Sequence, residues 1–185
     1  MKKANSRYND VTKAVNLPET QHVSIALTDP KSPTNVGAVM RAAGCYQANE
    51  VLYSGARYAK AAKFQTDTKS VSDKIPLTHV ESFIADKADD VKIICVDLVE
   101  GAIPLPEFNH PEKALYIFGP EDGTISQTVV DAADSVVYVP TIGCMNLAAS
   151  VNVLLYDRLA KSGLIKFSDQ LIKQSRDTNN TVKVK

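Results

Sequence analysis

The chain has 185 residues, 44% of them apolar, and its 21 basic and 21 acidic side chains leave no net charge. That apolar share excludes disorder for the bulk of the chain and suffices for one good core, most simply a single domain. No apolar run approaches the ~18 residues of a membrane helix, no apolar signal segment follows MKKANSRYND, and the three cysteines and three histidines form no ligand-like cluster. The expectation is a soluble cytoplasmic protein with no membrane, metal or disulfide chemistry.

The charge is unevenly spread. Residues 1–16 carry net +3 and residues 161–185 net +4, which leaves −7 on residues 17–160. Basic tails around an acidic body favour a polyanionic partner, although solvated termini account for the same charge. The expected organisation is a basic extension over 1–21, a folded domain over 22–161 and a second basic extension over 162–185.

The first apolar run, 23–27 (VSIAL), reads as a strand stopped by Thr28-Asp29-Pro30. Pro33 stiffens the approach to a helix starting at Thr34 or Asn35. In that helix, NVGAVMRAAGCY, Gly37, Arg41 and Gly44 fall at i, i+4 and i+7, so one edge admits another backbone or a ligand beside a guanidinium. Residues 51–53 form a second strand. Residues 56–64 read as a helix whose Arg57, Tyr58, Lys60, Lys63 and Phe64 make the one basic and aromatic patch of the body.

A short strand is expected at 77–80, a helix at 81–87 and a clear strand at 91–98 (VKIICVDL). GAIPLPEF, with two prolines in three positions, reads as irregular. The strand at 114–118 (ALYIF) runs into GPEDGTIS and a helix through 129–133. Residues 136–139 form a last strand ended by Pro140. From Asn146 to Tyr156 no charge occurs and apolar residues cover every side of a helix, which predicts burial all round. Asn146, Ser150 and Asn152 within it then need partners, from a cap, another subunit or a ligand. The last twenty residues hold one short amphipathic helix.

Strands alternate with helices, so an α/β fold with a parallel sheet is expected. Ligands in such sheets gather beyond the carboxyl ends of the strands, where 29–41, 119–126 and 140–146 lie. No P-loop, G-x-G-x-x-G or G-x-S-x-G is present. An Asn, an Arg, a Gly-Pro-Glu loop and a second Asn remain, a set suited to phosphate and ribose rather than to metal or thiol chemistry.

Three segments together resemble the SpoU (TrmH-like) branch of the SPOUT RNA methyltransferases. TNVGAVMRAAGCY at 34–46 is similar to the first family motif, YIFGPEDG at 116–123 to the second, and VPTIGCMNLAASVNVLLYD at 139–157 to the third. The resemblance spans about residues 22–160. It implies an α/β fold with a mostly parallel sheet, helices on both faces and a C-terminal trefoil knot, in a homodimer to which the last core helix contributes. It further implies S-adenosylmethionine as cofactor and a ribose 2′-hydroxyl of tRNA or rRNA as acceptor.

By that resemblance Arg41 is the catalytic residue, Asn35 orients it, and Glu121 and Asn146 fix the loops around the transfer site. Asp97, Leu98, Gly119, Pro120, Val139, Ile142, Cys144 and Leu147 would cradle the cofactor. Arg57, Lys60, Lys63 and the tails are the expected RNA contacts, made through phosphates. The third motif departs from the family in having Cys144-Met145-Asn146 six residues past Pro140, and Gly123 in the second is shifted. Where the family usually has a tight glycine this chain has Gln47, and Asn49 is expected to take the turn. Two rival readings are a knotted RNA-binding protein with weak or no catalysis, and methyl transfer to a nucleobase or a protein.

Overall fold

A computed structural model of the chain describes residues 21–62, 75–85, 87–164 and 168–184. They belong to two compact units, one spanning Glu19–Lys161 and the other including Ser162–Lys185. In the larger unit seven strands, β1 (His22–Leu27), β2 (Glu50–Tyr53), β3 (Leu77–His79), β4 (Lys92–Val96), β5 (Ile103–Pro104), β6 (Lys113–Phe118) and β7 (Ser135–Tyr138), form one sheet in the order β3-β2-β1-β6-β4-β7-β5. Every pairing is parallel. Among the described residues four helices accompany them: α1 (Pro33–Cys45), α2 (Arg57–Ala62), α3 (Gln127–Asp131) and α4 (Leu147–Lys161).

The apolar runs of β1, β4 and β6 exist because both faces of the sheet are covered. On one face α1 (Val36, Val39, Met40) and α4 (Val151, Leu154, Leu155) pack together over Ile25, Leu27, Val96 and Phe118. On the other, Ala26, Ile93, Cys95, Leu115 and Ile117 meet Phe83 and Ile125, with Val129 and Val130 of α3 against them. Burial pushes the Cys95 thiol up to about 11, so it stays an inert apolar filler.

The base of α4 is fastened by a buried polar network. Arg158 Nη1 donates to Pro111 O at 2.6 Å and to Tyr116 Oη at 3.0 Å, while Nη2 donates to Glu112 O at 2.9 Å. His110 Nδ1 lies 2.7 Å from Tyr116 Oη and Nε2 lies 2.9 Å from Asp157 Oδ2. The carboxylate needs a donor, which assigns the proton to Nε2 and leaves Nδ1 to accept the tyrosine proton. Lys161 Nζ completes the set, donating to Leu105 O at 2.5 Å and reaching Asp157 at 2.7 Å. Burial pushes the Tyr116 phenol up to about 12.

Four expectations are corrected. Residues 81–85 form bends and a turn rather than the start of a helix: Ser82 Oγ accepts the N–H groups of Ile84 and Ala85, as a helix cap does, but no helical run follows among the described residues. The 101–108 segment is not irregular throughout: it supplies β5 and a 3-10 turn at Leu105–Glu107, with Pro106 at a position that needs no donor. Within a single chain helix α4 is not buried all round, since Ala149, Asn152, Tyr156 and Ala160 form an exposed stripe. Gln47 itself takes the left-handed turn at φ 57. Asn49 instead braces β1, its Oδ1 accepting from Val23 N at 2.7 Å. Helix α2 is described over Arg57–Ala62, and Lys63 and Phe64 lie outside the described residues.

In the smaller unit the expected C-terminal helix is α5 (Asp169–Ser175), capped by Ser168, whose side chain accepts from Leu171 N.

Candidate active site

At the carboxyl ends of β4, β6 and β7 lies a cleft of about 240 Å³. Val96, Asp97 and Leu98 form one wall, Phe118 to Glu121 and Gly123 a second, and Val139, Thr141, Cys144 to Leu147 and Ser150 a third, with Asn35 at the edge. Of the residues expected to cradle a ligand, Asp97, Leu98, Gly119, Pro120, Val139, Cys144 and Leu147 line it. Ile142 does not, and its side chain stands fully in solvent at the tip of the 139–146 loop.

Three distant segments meet here through one chain of hydrogen bonds. Glu121 accepts from the backbone N–H of Lys31 at 2.7 Å and of Ser32 at 3.2 Å, and from Asn35 Nδ2 at 2.6 Å. Ser32 caps α1 with Pro33 following, so the carboxylate sits against exposed N–H groups at the positive end of a helix. Asn35 Oδ1 then accepts from Asn146 Nδ2 at 3.1 Å. Asn146 Oδ1 in turn accepts from Ala148 N at 2.9 Å, capping α4. A carboxylate at one end and helix N–H groups at the other fix the orientation of both amides. Within α4, Ser150 Oγ donates to Asn146 O and Asn152 Nδ2 to Ala148 O, so the polar residues flagged in the sequence find local partners.

Asp97 braces the second wall. Its Oδ2 accepts from Thr124 Oγ1 and Ile125 N, both at 2.9 Å, and its Oδ1 from Leu98 N at 2.8 Å. Gly119 is required beside it, because a Cβ there would lie 2.8 Å from Asp97 Oδ2 and 3.2 Å from Ile125 N.

The cations are placed differently. Arg41 is exposed on α1, outside the residues that line the cleft, and its side chain makes no hydrogen bond or ion pair among the described residues. It stands in an exposed stripe with Gly37, Ala38 and Cys45. Lys60 is likewise exposed on α2. Arg57, expected to face RNA, has its guanidinium engaged inside the chain by Asp29 and Asp122. Sequence reasoning missed this clamp and the His110–Tyr116–Arg158 network, since both join residues far apart in the chain.

Among the described residues, the lining includes two carboxylates, Asp97 and Glu121, and no lysine or arginine. Exposed Leu98 offers an apolar platform, and amide, hydroxyl and main-chain groups complete the walls. That donor set fits an adenosine carrying a cation better than one carrying phosphates.

Comparison with known proteins gives a consistent result. Residues 22–156 match the sequence model of the SpoU rRNA Methylase family. No curated protein sequence matches the chain. Among solved structures, the SpoU methyltransferase AviRb from Streptomyces viridochromogenes in complex with AdoMet shares 17% identity at a TM-score of 0.65, over 83% of this chain and 62% of that one. The A. aeolicus TrmH/SpoU tRNA modifying enzyme shares 14% identity at 0.67, over 92% of each chain. A structure described by the 2-OH methylation of C/U34 on tRNA shares 19% at 0.63, over 77% of this chain and 97% of that one. Identities this low establish a common fold alone, and this chain spans less than two thirds of the length of AviRb.

Proposed function

The chain belongs to the SpoU rRNA Methylase family, and on that premise we propose that it is an S-adenosylmethionine-dependent RNA methyltransferase acting on a ribose 2′-hydroxyl of tRNA or rRNA. The observation that carries the reading is the Glu121–Asn35–Asn146 chain, which joins the three motif segments at the edge of one cleft. The cofactor supplies an activated methyl group on a sulfonium. Leu98, Gly119, Pro120, Val139 and Leu147 would hold it, and the acidic lining favours its positive charge.

The chain's own task is positional, holding the acceptor hydroxyl about 3–3.5 Å from the methyl carbon. Glu121 and Asp97 both accept several N–H or O–H donors of the chain, which suits them to bracing loops rather than to taking a proton. A guanidinium stays protonated, so Arg41 grips the flanking phosphate and stabilises the developing alkoxide, whose proton passes to water.

Arg41 lies outside the cleft of its own chain, and the stripes Gly37/Ala38/Arg41/Cys45 and Ala149/Asn152/Tyr156 on packed helices α1 and α4 are uncovered. We propose that a homodimer covers them and completes the site. The interior sheet positions of the late strands β6 and β7 support the trefoil threading as well. Lys60, Lys63 and the basic tails are the proposed phosphate contacts.

Mass spectrometry of nucleosides from cells lacking this protein tests the reading, with loss of one 2′-O-methylnucleoside expected. Loss of a base-methylated nucleoside would move the acceptor, and an unchanged profile would refute RNA methylation. The position of Arg41 also gives a second reading some support, a non-catalytic RNA-binding protein. Calorimetry with S-adenosylmethionine separates the two: a protein that binds no cofactor selects the second.

A further inference from the structure

We propose that Arg57 is a positioning residue of the transfer site, a guanidinium clamp that holds the loop bearing Glu121 against the start of α1, rather than an RNA contact. This rests on the methyl-transfer reading above for its consequence, though not for its geometry.

The contact between Glu121 and the amides of Lys31 and Ser32 joins two loops, residues 28–32 after β1 and residues 119–125 after β6. Arg57 grips both. Its Nη1 donates to Asp122 Oδ1 at 2.8 Å and Oδ2 at 2.9 Å, next to Glu121. On the other side Nε and Nη2 donate to Asp29 O at 2.9 and 2.6 Å, and Nε lies 2.8 Å from Asp29 Oδ2. These partners are 28 and 65 residues away in sequence, so the arrangement is tertiary. A planar fork with donors on two sides sets the separation of the loops, which the point charge of a lysine cannot do.

The surroundings are shaped to the same contact. Asp29 holds a φ of 40, and its Oδ1 accepts from Arg57 N at 3.2 Å. Gly55 has a φ of 74, and a Cβ there would come within 2.2 Å of Asp29 Oδ1. The guanidinium also holds the Asp122 carboxyl below its usual range. The second tie at this place, Lys31 to Asp122 at 3.8 Å, is exposed and long. The bonds to Asp122 are exposed and add little to global stability, while those to Asp29 O are part-buried. Loss of Asp122 should therefore leave the melting temperature unchanged and loss of Arg57 should lower it modestly, with the larger effect in the site.

The test compares the full chain with Arg57→Ala, Arg57→Lys and Asp122→Asn. Amide hydrogen exchange at Lys31 and Ser32, which donate to Glu121, should become at least about fivefold faster in all three variants, at unchanged melting temperature in Asp122→Asn and by more than the change in global stability accounts for in the two Arg57 variants. Single-turnover methyl transfer at saturating RNA should fall at least about tenfold in Arg57→Ala, with the lysine variant failing to restore it. The Arg57→Ala/Asp122→Asn pair should be no worse than Arg57→Ala alone. RNA affinity should keep its salt slope. Wild-type exchange at both amides would overturn the clamp whether or not the protein methylates RNA. A salt slope reduced by about 0.7–0.9 with the turnover rate intact would overturn it in favour of a phosphate contact. A wild-type chain that neither binds S-adenosylmethionine nor methylates RNA would refute the enzymatic reading alone, since the exchange result stands apart from it.

Discussion

Asn35 is the link whose removal is most informative, because it both donates to Glu121 at 2.6 Å and accepts from Asn146 at 3.1 Å. Asn35→Ala removes a hydrogen bond to a charged acceptor, about 1.5–3 kcal/mol, and a neutral one, about 0.5–1.5 kcal/mol. The residue is half-buried, so water replaces part of both, and the low ends together give about 2 kcal/mol. At about 2–4 °C per kcal/mol for a chain of this size, the melting temperature should fall by about 4–8 °C. Asn35→Asp is the sharper test, because it keeps the shape and places a carboxylate oxygen against Glu121. Like charges about 4 Å apart repel by about 1 kcal/mol in water and about 4 kcal/mol near a protein surface. The isosteric variant should therefore be the worse of the two, in calorimetric melting at pH 8 and in affinity for S-adenosylmethionine. An Asn35→Asp protein melting at or above Asn35→Ala, or both melting within about 1 °C of wild type, would refute the relay.

Three further outcomes follow from the same structure. Gly119→Ala places a Cβ 2.8 Å from Asp97 Oδ2, so the brace on Thr124 and Ile125 must give way, and cofactor affinity by calorimetry should drop at least about tenfold, about 1.4 kcal/mol. Arg158→Met strips donors from Pro111 O, Glu112 O and Tyr116 Oη and should cost about 3–5 kcal/mol in denaturant unfolding. Burial holds the His110 pKa below 6.5, a shift that Asp157 opposes and Arg158 and Lys161 reinforce. The unfolded chain thus takes up this proton more readily, so the contribution is complete above pH about 6.5 and is lost as pH falls below it. His110→Gln should flatten stability between pH 6.5 and 5 by up to about 1.4 kcal/mol per pH unit relative to wild type, and parallel profiles would refute the assignment.

The sheet was legible because its central strands are covered on both faces, so Ile25, Ile93, Ile94 and Ile117 sit in unbroken apolar runs. The three segments that meet at the cleft were legible from motif spacing. Local turns hid the rest: Ser82 caps a turn that no helix continues, Pro106 opens a short turn, and Gln47 accepts a conformation usually left to glycine. Apolar content alone could not show that α4 keeps one side open at Ala149, Asn152 and Tyr156. Charge alone could not show that Arg57 is already matched by Asp29 and Asp122, because its partners come from other strand ends.

The sign of the cleft has a consequence for selectivity. Purine metabolites such as nucleoside triphosphates and dinucleotides present the same ring and sugar as the methyl donor, so those features cannot tell them apart. A wall bearing Asp97 and Glu121 and, among the described residues, no lysine or arginine repels their phosphates while drawing in a sulfonium. The same sign opposes the backbone of a nucleic acid, so under the ribose methylation proposed above the acceptor is offered at the rim and its strand does not thread through the chamber.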